Sequence, residues 1–75
     1  MRGLHSEAYA NFLERLRLAR REAKLTQVEV AARLERPQSY VSKCESGERR
    51  LDIIELSEFA RIYGKRLDFF VPRGR

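Results

Sequence analysis

The chain has 75 residues, which is enough for one small domain and too few for a second. Its single cysteine, Cys44, excludes an intrachain disulfide and leaves no thiol set for a zinc site, a composition suited to a reducing cytoplasm. Sixteen Lys and Arg against eleven Asp and Glu give a net charge of +5, which points to polyanionic partners, nucleic acid first among them. No apolar run reaches the length of a membrane span and the N-terminus lacks the apolar core of a signal peptide, so a soluble cytoplasmic protein without a membrane partner is expected.

Apolar residues recur at three- and four-residue spacing and β-branched alternation is missing, so the predicted fold class is all-α. Residues 1–5, with His5 among them, read as a flexible solvated tail, and residues 72–75 as a short basic one. The predicted elements are helices over about 6–23, 26–34, 37–46 and 52–63, and a short turn over 67–71. The first begins at Ser6, a residue suited to capping, and gathers Tyr9, Phe12, Leu13, Leu16, Ala19 and Ala23 on one face, with Arg20 at its edge. In the second, Thr26 followed three residues later by Glu29 forms a capping box, and Val30, Ala31 and Leu34 make a short apolar stripe.

Only Glu35 and Arg36 then precede Pro37, which favours the first turn of a new helix. Helices joined so closely cross steeply, as in a helix-turn-helix. The third helix ends at Gly47. It places Val41 and Cys44 inward with Tyr40 flanking them, and shows Ser39, Ser42, Lys43 and Ser46 outward, with Gln38 at its exposed start. Gln pairs bidentately with adenine, Lys donates to guanine and Ser suits several bases. Gln27 and the pair Arg49 and Arg50 flank that polar face. Asp52 and Glu55 form a second capping box, and Ile53, Leu56, Phe59, Ala60 and Tyr63 make the packed arc of the fourth helix, which stops at Gly64. Leu67, Phe69, Phe70 and Val71 are expected to close the core as a lid.

The stretch "LTQVEVAARLERPQSYVSKCESGERRLD" resembles the helix-turn-helix domain shared by phage Cro and repressor proteins and by bacterial XRE-type regulators. The resemblance covers about residues 12–71, and Leu25-Thr26-Gln27, Ala31, Ser39 to Lys43, Glu45 and Gly47 carry it. It implies a compact five-helix bundle over residues 6–71, with the third helix in the major groove of DNA. Carried over position by position, it implies base reading by Gln38, Ser39 and Lys43, with Ser42 as a further candidate. It likewise implies phosphate contacts from Gln27, Tyr40, Arg49 and Arg50, and a structural salt bridge between Arg20 and Glu45. Such proteins bind palindromic operators as homodimers, with half-sites about one helical turn apart.

Two positions depart from the family pattern, where Gly is usual: Lys24 after the first helix, and Glu35 in the tight turn. Both are expected to carry local backbone strain if φ is positive. Ile54 and Ile62 lie outside the packed stripes beside the aromatic turn. With Phe69 or Phe70 they form a candidate dimer interface, unless they simply cover the core. No cofactor and no metal is expected, since no His, Cys and carboxylate cluster exists. No nucleophile has a base at a useful spacing, so the chain does not read as an enzyme. The resulting expectation is a sequence-specific DNA-binding transcription regulator, a repressor, acting as a homodimer on double-stranded DNA. The alternative is an antitoxin or bridging module whose main partner is a protein.

Overall fold

Ser6 caps the first helix: its hydroxyl accepts a hydrogen bond from the Tyr9 N–H at 3.1 Å, satisfying one of the free donors at a helix start. The computed structural model describes residues 6–71, so the two tails and His5 lie outside the described residues. Five helices follow in order: α1 (Glu7–Glu22), α2 (Gln27–Leu34), α3 (Gln38–Ser46), α4 (Ile53–Tyr63) and α5 (Leu67–Phe70). The fold is all-helical, a five-helix bundle.

Reciprocal capping boxes start two of the helices. At α2 the Thr26 hydroxyl accepts from the Glu29 N–H (3.1 Å) while the Glu29 carboxylate accepts from the Thr26 N–H (2.8 Å). At α4, Asp52 and Glu55 make the same exchange at 2.7 and 3.0 Å.

Three helix ends share one closure. Leu25 N–H bonds to Arg20 O, Arg36 N–H to Ala31 O, and Lys65 N–H to Ala60 O, each with an inner bond from the residue before. This six-to-one pattern needs a left-handed residue at the pivot. The pivots are Lys24 (φ 61°), Glu35 (φ 57°) and Gly64 (φ 67°), so two of the three turns place a side chain where glycine fits best. The tight turn between α2 and α3 therefore keeps the left-handed geometry with Glu35 in it.

The core is built from Leu13, Leu16 and Ala19 of α1, Val30 and Ala31 of α2, Val41 and Cys44 of α3, Leu56, Phe59 and Ala60 of α4, and Phe70 of α5. α5 is tied to α1 where Arg15 Nε donates to the Phe69 carbonyl at 2.7 Å. That anchor turns the Phe70 ring fully inward, edge-on to Phe69 at 5.4 Å. Only Phe70 thus closes the core fully: Phe69 is half-buried, and Leu67 and Val71 are exposed. Ile53 also departs from its expected place, standing 60% exposed. It shares the spacing of Leu56, Ala60 and Tyr63 but heads α4, beyond the cover of the packed helices, and so stays exposed. Among the described residues no helix is long and apolar enough to cross a membrane.

Candidate nucleic-acid interface

α3 is divided by direction. Tyr40, Val41, Cys44 and Glu45 are buried, while Gln38, Ser39, Ser42, Lys43 and Ser46 are exposed. Cys44 has no exposure at all, and burial raises its thiol pKa, so it behaves as a small core residue. Among the described residues the side chains of Ser39, Ser42 and Lys43 make no hydrogen bond, which leaves their donors and acceptors open. Ser46 differs: its hydroxyl donates to the Lys43 carbonyl (3.2 Å) and accepts from the Glu48 N–H (3.3 Å), closing the helix end.

Glu45 is charged yet 3% exposed. Its carboxylate accepts from Arg20 Nε (2.7 Å), Arg20 Nη2 (3.2 Å) and Gln27 Nε2 (3.0 Å). The Arg20 pKa is raised, chiefly by that hydrogen bond to Glu45. Arg20 also donates to the Leu25 carbonyl at 3.0 Å, and Arg17 donates to the Glu45 carbonyl at 2.6 Å. One buried carboxylate thus ties α1, the start of α2 and the end of α3 together, as a buried charge requires.

The same network reaches the exposed face. Gln27 gives its amide N–H to Glu45, and its amide oxygen accepts from Gln38 Nε2 at 3.3 Å. Gln27, which sequence reasoning places on phosphate, here orients Gln38, with one amide N–H left for another acceptor.

Tyr40 is turned inward. Its ring packs against Phe59 with centroids 6.2 Å apart, and its hydroxyl is buried near the Cys44 thiol without a well-formed hydrogen bond. Burial foremost pushes its pKa up to about 12. Tyr40 is therefore not disposed to donate outward to phosphate, because its ring is seated on Phe59 and its hydroxyl is buried. Its ring instead lies under two guanidinium groups, Arg36 at 4.4 Å and Arg49 at 4.8 Å from the centroid. Arg36 is the residue that sequence reasoning passed over. The sequence places it in the turn, and its one signal there is an Arg four residues before an aromatic.

Arg49 and Arg50 diverge. Arg49 grips Glu55 with both ends of its fork, Nη1 to Oε1 at 3.1 Å and Nη2 to Oε2 at 2.8 Å, and donates to the Arg50 carbonyl at 3.2 Å. This pairing raises the Arg49 pKa and holds the Glu55 carboxyl below the usual range, helped by the Asp52 N–H. Arg50 lies over the Tyr9 ring of α1 at 4.2 Å.

The residues considered for a dimer surface differ in exposure. Ile54 is 66% exposed. Ile62 and Phe69 are half-buried against the core, Phe69 beneath Arg15 and Lys65. Phe70, fully buried in its own chain, has no surface to offer and is withdrawn from that set.

Comparison with known proteins adds one positive finding: a family model described as a helix-turn-helix domain matches residues 11–65. A search of curated proteins finds no match to the chain.

Proposed function

The chain belongs to the helix-turn-helix domain family, and on that premise we propose that residues 6–71 form a sequence-specific DNA-binding unit of a transcription regulator. α3 enters the major groove. Gln38, Ser39, Ser42 and Lys43 meet base edges, with Gln27 orienting Gln38, while Arg49 and Arg50 lie toward the backbone. The observation that carries this reading is the exposed face of α3, polar and largely uncommitted, on a helix pinned from behind by the Arg20–Glu45 pair. A surface helix held this firmly, yet built from weak helix formers, suits readout better than packing.

The role proposed is that of a repressor, since a DNA-binding unit acts most simply by occupying its site against polymerase. Two-fold dimers on a palindromic operator supply the rest of the specificity, with Ile54, Ile62 and Phe69 proposed at the contact between copies. The location is proposed to be the cytoplasm, where DNA is accessible and Cys44 stays reduced. The test is selection of sites from random duplex DNA. Enrichment of a two-fold motif with half-site centres about 10 base pairs apart is expected, and failure to enrich any motif overturns the reading.

A second reading has an observation of its own. Val28, Ile53, Ile54, Leu67 and Val71 are all exposed, so an antitoxin-like protein contact is the competitor. A stoichiometric second protein on purification, with no enriched duplex, would replace the first reading by this one.

A further inference from the structure

Arg36, Tyr40, Arg49 and Glu55 form a cluster beside the start of α3 that helix capping and core packing do not require in full. The Arg36 and Arg49 guanidinium groups both lie over the Tyr40 ring, and both act on the Glu55 carboxylate electrostatically. They differ in what they have left. Arg49 spends three N–H bonds on Glu55 and on the Arg50 carbonyl. The Arg36 guanidinium, on an exposed residue, makes no hydrogen bond and no ion pair among the described residues.

We propose that the Tyr40 ring is a platform that presents Arg36 as a ligand for one backbone phosphate of duplex DNA, with Arg49 held beside it by Glu55. A guanidinium resting on an aromatic ring uses its face, so its five in-plane donors stay free for a phosphate. Seating Arg36 before DNA arrives reduces the rotamer freedom lost on binding. Arg49 is held in place beside it, because Glu55 takes both ends of its fork and balances its charge, which leaves Arg36 as the uncommitted cation of the cluster. Tyr40 is a positioning residue here: it acts through its ring and not its hydroxyl, which is buried. Arg36 sits two residues before Gln38, so a phosphate held there fixes where α3 begins along the groove.

This inference rests on the DNA-binding reading, and the test separates the two. Binding of the full chain to a random-sequence duplex and to its selected site is measured across a salt series. Arg36→Gln is expected to reduce the slope of log K against log salt by about 0.9 on both duplexes, the value for one phosphate lost. Arg36→Lys keeps the charge but not the planar stack; it should keep the slope and weaken binding about threefold. Tyr40→Phe should bind like the parent. Tyr40→Leu, checked for folding by its helical circular dichroism and melting transition, should weaken binding about threefold, and by less in the Arg36→Gln background.

An unchanged slope for Arg36→Gln, on duplexes that the parent chain binds, overturns the platform and leaves DNA binding intact. Equal loss from Tyr40→Phe and Tyr40→Leu also overturns it, since the hydroxyl would then be the active group. If Tyr40→Leu fails to fold, the two Arg36 variants decide. If the parent chain binds no duplex at all, the DNA-binding reading falls and the platform falls with it.

Discussion

Arg20 and Glu45 meet fork to fork across the seam between α1 and α3, at 2.7 and 3.2 Å, with the carboxylate almost wholly buried. Removing one partner leaves a charge in low dielectric with no counter-ion, which costs more than the intact pair contributes. Arg20→Ala is therefore expected to lose about 3 kcal/mol of stability, at the lower end for buried pairs because Arg20 keeps some exposure. Urea unfolding measures it, and a loss under about 0.5 kcal/mol would place the pair with neutral surface charges.

Gln27 and Gln38 test how readout is wired. Gln38→Ala should lose about 1–3 kcal/mol on the selected site and relax preference at one base position. Gln27→Ala should relax that same position, because Gln38 loses the oxygen that orients it. It should also cost about 1 kcal/mol of stability, as Glu45 loses one of its donors. A uniform loss over all sequences from Gln27→Ala would instead assign Gln27 to phosphate. Competition binding against single-base variants of the site distinguishes the two.

Lys24 and Glu35 hold left-handed φ without being glycine. Lys24→Gly and Glu35→Gly should each raise stability by up to about 1 kcal/mol, the scale of the steric cost of a Cβ in that conformation. Gly64 supplies the reciprocal measurement: a Cβ added there meets nothing within 4 Å, so Gly64→Ala reports the backbone cost alone. Thermal unfolding should show gains of a few degrees for the first two and a loss for the third. Gains absent at both Lys24 and Glu35 would mean that their side chains offset the strain by other contacts.

Glu55 gives a pH dependence with a defined sign. Its carboxyl is held below the usual range by Arg49 first and the Asp52 N–H second. A carboxylate lowered on folding stabilises the fold above its unfolded pKa, about 4.3, and that contribution fades as pH falls through the folded value. Melting of the parent chain and Glu55→Gln should thus differ at pH 7 and converge only as pH falls below the unfolded value and through the lowered folded one. A difference that persists unchanged into acid would show that the carboxylate charge is not its source.

The helices were legible because their starts and stops are chemical. Thr26 with Glu29 and Asp52 with Glu55 mark two starts that hydrogen bonds then make, and the core follows apolar spacing. What escaped lies where the helical wheel gives no direction. Tyr40 is near enough to Cys44 on the wheel to turn either way, and only the Phe59 ring beneath it decides. Arg49 and Arg50 come from a loop, so their opposite destinations, Glu55 and Tyr9, depend on a chain path that no periodicity encodes. Ile53 fails for a related reason: the first residue of a helix shares the arc's spacing without sharing its cover.

The partition of α3 also governs how such a chain can change over generations. Ser39, Ser42 and Lys43 touch no structural network, so substitutions there drift across the space of recognised sequences with little effect on folding. Gln38 is less free, because its amide is linked through Gln27 to the buried carboxylate of Glu45. Divergent copies of this chain should therefore rewrite the three loose letters first and keep Gln38 longest, acquiring new operators on an unaltered scaffold.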